Sequence, residues 1–228
     1  MSQNHEFSKC YRCFRPSSQC YCSSLSPINT GIRFVFLMHP KEAYHQKTGT
    51  GRLAALSLTG SEIIIGTDFT HNQRLNTIIN TKNEFSDCFP VVLYPGDRSS
   101  RANSPEFATL VSGKKLIVIV IDATWFFAKK MLSLSTNLHT VPLVSFGGSY
   151  RSRFDFKKQP APECLSTIES CYYLIEEFKE AGLVHKNTDA APLLSVFRKM
   201  VDFQLQCEQR RHEDLAATLY PDLFQRQI

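Results

Sequence analysis

Six consecutive apolar residues, Leu116-Ile117-Val118-Ile119-Val120-Ile121, run without a break into the carboxylate of Asp122. The run is far too short to cross a membrane, but it suits one strand. A strand that is apolar on both faces belongs in a sheet covered on both sides, which means a parallel or mostly parallel sheet. Residues 32–38, 62–66 and 90–94 repeat the pattern, and residues 141–144 repeat it more weakly. Between the strands lie helical spacings. Residues 125–134 set Phe126, Lys129, Lys130 and Met131 as an apolar and a basic stripe. Residues 166–179 carry Ile168, Cys171, Leu174, Ile175 and Phe178 behind a Ser166 or Thr167 N-cap with Glu169 as its partner, and residues 192–209 form a long amphipathic helix. Alternation of this kind predicts an α/β fold, a mostly parallel sheet flanked by helices.

The first 30 residues are of another kind. Of the eight cysteines in the chain, four are Cys10, Cys13, Cys20 and Cys22, followed by a polar stretch without period. Four thiolates so close together can surround one tetrahedral Zn²⁺. Disulfides, which a reducing compartment disfavours, and unpaired thiols are the alternatives. Four protein ligands leave no open position, so the ion would be structural. The remaining cysteines, scattered among apolar neighbours, read as small buried side chains. The expected organisation is a zinc-binding segment over 1–30 and an α/β domain over 31–228.

Bulk properties narrow the function less. The net charge of +5 and pI of about 8.8 are compatible with a nucleic-acid partner without requiring one. The polar first nine residues lack the apolar centre of a secretory signal, and the longest apolar run is no membrane span, so a cytoplasmic location without membrane contact is expected. No obligatory protein partner is evident.

Ligands of an open α/β sheet bind beyond the carboxyl ends of its strands. There this chain places Met38-His39-Pro40-Lys41, Leu93-Tyr94-Pro95-Gly96 and Asp122-Ala123-Thr124-Trp125. A carboxylate straight after six apolar residues must be paired, hydrogen-bonded or functional; the plain alternative is an N-cap for the helix beginning at Trp125. Neither phosphate-binding loop is present: Thr48-Gly49-Thr50-Gly51-Arg52 lacks the remaining glycine and the lysine. The densest positive segment holds Arg151, Arg153, Lys157 and Lys158, either a solvated face or a contact to phosphates. Just beyond it, Ser166 and Thr167 open a helix whose free N–H groups can hold an anion.

Taken in order, Cys10-x2-Cys13-x6-Cys20-x-Cys22, Thr50-Gly51-Arg52, Tyr94-Pro95-Gly96, Asp122-x-Thr124-Trp125 and Ser166-Thr167-x-Glu169 resemble the DTW-domain family of tRNA-uridine aminocarboxypropyltransferases. The position before Thr50, usually Asn in that family, is Gly49 here. The resemblance implies a SPOUT-like sheet with a trefoil knot, rare as knots are. It implies transfer of the 3-amino-3-carboxypropyl group of S-adenosylmethionine to N3 of a tRNA uridine, with methylthioadenosine released. The implied pocket for that co-substrate comprises Leu93, Tyr94, Pro95, Gly96, Asp122, Leu165, Ser166, Thr167 and Glu169. Asp122, Thr124 and Trp125 would be catalytic, Asp122 as base or orienting acceptor, with Arg52, Arg151 and Arg153 meeting tRNA phosphates or the methionine carboxylate. The rival expectations are a knotted S-adenosylmethionine-dependent RNA methyltransferase and a non-catalytic zinc-dependent RNA-binding protein.

Overall fold

The structure is a computed structural model that describes residues 9–46, 48–152 and 164–219. The predicted parallel sheet is there. β1 (Arg33–Met38), β2 (Glu62–Ile65), β3 (Cys88–Leu93), β4 (Ser100–Arg101), β5 (Lys115–Asp122) and β6 (Leu143–Ser145) form one six-stranded sheet in the order β2-β1-β5-β3-β6-β4. Every pairing within it is parallel. The six-residue apolar run is the central strand, β5, flanked by β1 and β3 on its two sides.

Alternation along β5 sorts the core into two layers, because successive side chains leave a strand on opposite faces. Leu116, Val118 and Val120 join Phe34 and Phe36 in one cluster, together with α2 (Gly51–Ser57), α6 (Thr167–Glu180) and α7 (Ala191–Leu219). Ile117 and Ile119 join Val35 and Leu37 in the other, beneath α3 (Gln73–Ile79) and α5 (Trp125–Leu134), which supply Leu75, Ile78 and Met131. Burying a side chain of this size contributes about 1.5–3 kcal/mol, so both faces of β5 are tied down. The same alternation turns Asp122, two residues after Val120, towards the α2 and α6 layer.

Two short helices complete the chain order, α1 (Pro40–Tyr44) after β1 and α4 (Pro105–Leu110) before β5. Both have Pro in their first turn and side-chain N-caps, His39 and Ser104, but each is too short to show a helical period. β4, two residues long, was likewise invisible to pattern.

Two expectations need correction. Phe126 is not on the buried stripe of α5: it is 74% exposed, and Ala128 and Met131 are the buried positions. The helix therefore presents an aromatic and two lysines outward. Cys207 is exposed, on the outer part of α7, whereas Cys171 is buried as expected. The cysteine segment packs on the α/β core: Tyr21 and Ile28 are buried in the first cluster and Ile28 bridges Leu58. Among the described residues, no helix is long and apolar enough to cross a membrane.

Candidate functional site

The carboxyl ends of β1, β3 and β5 meet at one edge, where Met38 lies opposite Asp122 and Leu93 opposite Val120. Asp122 is 4% exposed, and its Oδ1 accepts a 2.6 Å hydrogen bond from the Thr167 hydroxyl at the start of α6. It does not cap α5; that position belongs to Thr124, in extended backbone conformation. On its other side the carboxylate lies against the backbone of Gly51, the first residue of α2, so closely that any Cβ at position 51 would overlap it. The Thr50-Gly51-Arg52 motif thus has a steric reason: only glycine lets the second helix approach the strand-end acid. Arg52, one residue on, is near enough for Asp122 to favour its charged form, against burial that lowers the guanidinium pKa.

A cavity of about 470 Å³ opens along the α6 side of this edge. Leu93, Tyr94 and Pro95 from the end of β3, Ile121 and Ala123 beside Asp122, and Leu165 and Thr167 before and at the start of α6 line it, together with Trp125 and Phe146. Its volume and mostly apolar walls are those of a small-molecule site with a few polar groups to orient the occupant. Burial pushes the Tyr94 hydroxyl pKa upward, so it stays a neutral donor. Trp125, the chain's one tryptophan, is 41% exposed at the rim. Three motifs far apart in sequence therefore wall one space.

Not every predicted residue faces it. Gly96, Asp122, Ser166 and Glu169 are absent from its lining; Asp122 lines a separate cavity, and Thr124 lines a small depression with Lys41, His45 and Phe127. Glu169 is fully buried and serves the helix: it accepts from the Ser166 backbone N–H at 2.9 Å, the Ser166 hydroxyl at 2.6 Å and the Ser152 hydroxyl at 2.8 Å. That is the predicted capping pair, with Ser152 as an added donor. Arg151 is exposed. Arg153, Lys157 and Lys158 lie outside the described residues.

A third buried carboxylate, Glu177, belongs to none of the motifs read from sequence. Glu177, on the apolar face of α6, accepts from the Gly147 N–H at 2.9 Å, the Gly148 N–H at 2.8 Å and the Tyr150 hydroxyl at 2.9 Å. Burial and this bond raise the Tyr150 pKa, and its ring stacks on Tyr173 at 4.1 Å. Gly147 has no room for a side chain, since a Cβ would overlap Asn103. The signal was available: a glutamate two residues after Ile175 and one before Phe178, inside the buried stripe. Replacing it by leucine strips three donors of their acceptor and is expected to cost about 3 kcal/mol. A drop in urea midpoint with unchanged slope would show this; an unchanged midpoint would contradict it.

The four N-terminal cysteines are brought together. All four Sγ atoms lie within 4.8 Å of one another, with Cys10 to Cys22 and Cys13 to Cys20 both at 3.7 Å. A tetrahedral ion with Zn–S bonds of about 2.3 Å needs its sulfurs about 3.8 Å apart, so the cluster fits zinc. Backbone N–H groups of Cys13 and then Arg12 lower the Cys10 pKa to about 6, whereas burial raises those of Cys13 and Cys22, so the case for a metal rests on the geometry of the four sulfurs. The turn is closed by Cys10 N–H to Arg15 O and Phe14 N–H to Cys10 O, both 2.8 Å. Arg15, 8% exposed, lies over the Tyr21 ring and donates to Gly49 O at 3.1 Å, strapping the knuckle to the loop before α2. Between them lies a second cavity of about 410 Å³, lined by Phe14, Tyr44, Arg52 and Asp122 among others.

Comparison with known proteins places these features in a family. The DTW domain matches residues 7–205 of the chain. The tRNA-uridine aminocarboxypropyltransferase 2 of Macaca fascicularis is 26% identical over 203 residues, covering 87% of this chain and 64% of that protein. Its namesake in Drosophila melanogaster is 26% identical over 204 residues, covering 85% of this chain and 75% of the relative. The tRNA-uridine aminocarboxypropyltransferase A of Arabidopsis thaliana is 27% identical over 229 residues, covering 88% and 82%. This chain thus spans about two-thirds of the length of the macaque relative. No solved structure matches it.

Proposed function

The chain belongs to the DTW-domain family, and from that premise we propose that it is a tRNA-modifying transferase carrying the 3-amino-3-carboxypropyl group of S-adenosylmethionine to N3 of a tRNA uridine. The observation that carries the reading is the convergence of Leu93-Tyr94-Pro95, Ala123 and Leu165-Thr167 on one apolar cavity, with Asp122 hydrogen-bonded to a residue of its wall. The names of the relatives supply the reaction class.

In this reading the first cavity holds the sulfonium co-substrate, which supplies an electrophilic carbon and a neutral thioether leaving group. Tyr94, Leu165 and Trp125 flank it, and Thr167 orients Asp122. A C–N bond forms at uridine N3 as the C–S bond breaks, methylthioadenosine departs, and the N3 proton passes to Asp122 and then to solvent. Positioning does most of the selection among the carbons around sulfur. Arg52 offsets the negative charge of Asp122, and Arg151 is exposed to meet phosphate. The wholly parallel six-stranded sheet, with the start of α6 bonded to the end of β5, agrees with the SPOUT-like knotted topology, which is part of the same proposal.

The test is mass spectrometry of tRNA incubated with purified protein and labelled S-adenosylmethionine. A gain of the aminocarboxypropyl mass on uridine with methylthioadenosine released is expected. Adenosylhomocysteine in its place would mean a methyltransferase, and no mass gain on any tRNA would overturn the assignment. Binding can be read separately, because Trp125 fluorescence should change as the first cavity fills.

A further inference from the structure

The second cavity lies between the cysteine knuckle and the helices α1 and α2, and Asp122 is part of its lining. We infer that it receives the acceptor: a single uridine turned out of the RNA, its ring against Phe14 and its edge towards Asp122. The inference rests on the transferase reading for the content of the first cavity.

Asp122 joins the two spaces. Its Oδ1 is bonded to Thr167, which lines the first cavity, and the same residue lines the second. A group passed from an occupant of one cavity to an occupant of the other would cross beside this carboxylate, where the acceptor's proton must also be taken.

The wall opposite is built for a base. Phe14 adopts a left-handed backbone, φ 58°, which bulky residues rarely accept and which costs free energy that the knuckle's ligands and hydrogen bonds must hold. The result is an aromatic ring 54% exposed to solvent, with the Arg52 guanidinium 4.4 Å from its centre. Burial does not explain such a ring. Tyr44, 68% exposed, lines the same cavity. Exposed aromatic faces beside a guanidinium are what an unstacked pyrimidine uses in place of its lost neighbours. Arg15, anchored to Gly49, holds the knuckle at this distance from α2, so the metal-binding segment is a wall of the acceptor site as well as a fold element.

Transcripts of tRNA carrying 4-thiouridine, irradiated with the zinc-loaded protein, locate the base directly. Crosslinked peptides within residues 9–19 or 42–46 are expected; crosslinks confined to α5 or to residues 164–170, or none at all, would overturn the inference. In parallel, Phe14→Ala is expected to weaken tRNA binding roughly tenfold, with zinc content and the Trp125 response to S-adenosylmethionine unchanged, and Phe14→Tyr should restore it. Equal tRNA affinity in Phe14→Ala and the parent would count against the stacking role. If the parent shows no response to S-adenosylmethionine, the transferase reading fails by itself, and the crosslink position still decides where the base sits.

Discussion

An Asp122→Asn protein is expected to fold, to bind S-adenosylmethionine, and to modify tRNA about 10²–10⁴-fold more slowly, the range over which a positioned general base acts. The substitution keeps the shape of the side chain. An amide oxygen can still accept from the Thr167 hydroxyl, now 2.6 Å from Oδ1, and no heavy atom is added towards Gly51, where space is short. What disappears is the negative charge and with it a site for the N3 proton. If Asp122 only orients its neighbours, Asn should retain most of the turnover. Single-turnover rates at saturating S-adenosylmethionine separate the outcomes, and Trp125 fluorescence reports whether the co-substrate still binds. A full rate in the variant would remove Asp122 from the chemistry.

Loss of zinc should be the largest single blow to stability. The described part of the segment before β1 is held through the knuckle turn, the Arg15 bond to Gly49 O, and the buried Tyr21 and Ile28. Without the ion, four converged thiols have no reason to stay together, and ordering of the segment must be supported by packing alone. For a chain of this size about 1 kcal/mol shifts the melting midpoint by ~2–4 °C. Removal of the ion, or Cys13→Ser, is expected to cost roughly 3 kcal/mol or more, a fall on the order of 10 °C. Elemental analysis should find one zinc per chain before chelation. A chain that binds no zinc, or that melts at the same temperature after losing it, would contradict the structural role. Because the knuckle also walls the second cavity, zinc loss should weaken tRNA binding more than S-adenosylmethionine binding.

Much of the architecture was legible from apolar runs alone. Residues 116–121 announced a doubly covered strand, and β5 is the central strand of a parallel sheet. The capping pair of Ser166 and Glu169 was readable because it is local, acting within one helical turn. Phe126 was misread for a related reason: periodicity identifies an amphipathic helix but does not say which of two apolar residues faces the sheet. Glu177 was passed over because its partners, Gly147 and Gly148, come from a loop that no pattern connects to α6.

By itself the sequence determined the covered parallel sheet, the cluster of four cysteines and the strand end that bears Asp122, since each depends on residues close together in the chain. Only the tertiary structure decided where that carboxylate is held and that Thr124, not Asp122, caps α5. Whether Asp122 caps a helix or faces a ligand depends on residues 45 positions downstream, where Thr167 donates to it, and on a glycine in a helix from another part of the fold. Long-range contacts leave no period in a sequence. The hydrogen bond from Thr167, in the wall of one cavity, to Asp122, in the wall of the other, arises from the side-chain alternation of β5 and from the placement of α6 at its carboxyl end, and both are properties of the folded sheet.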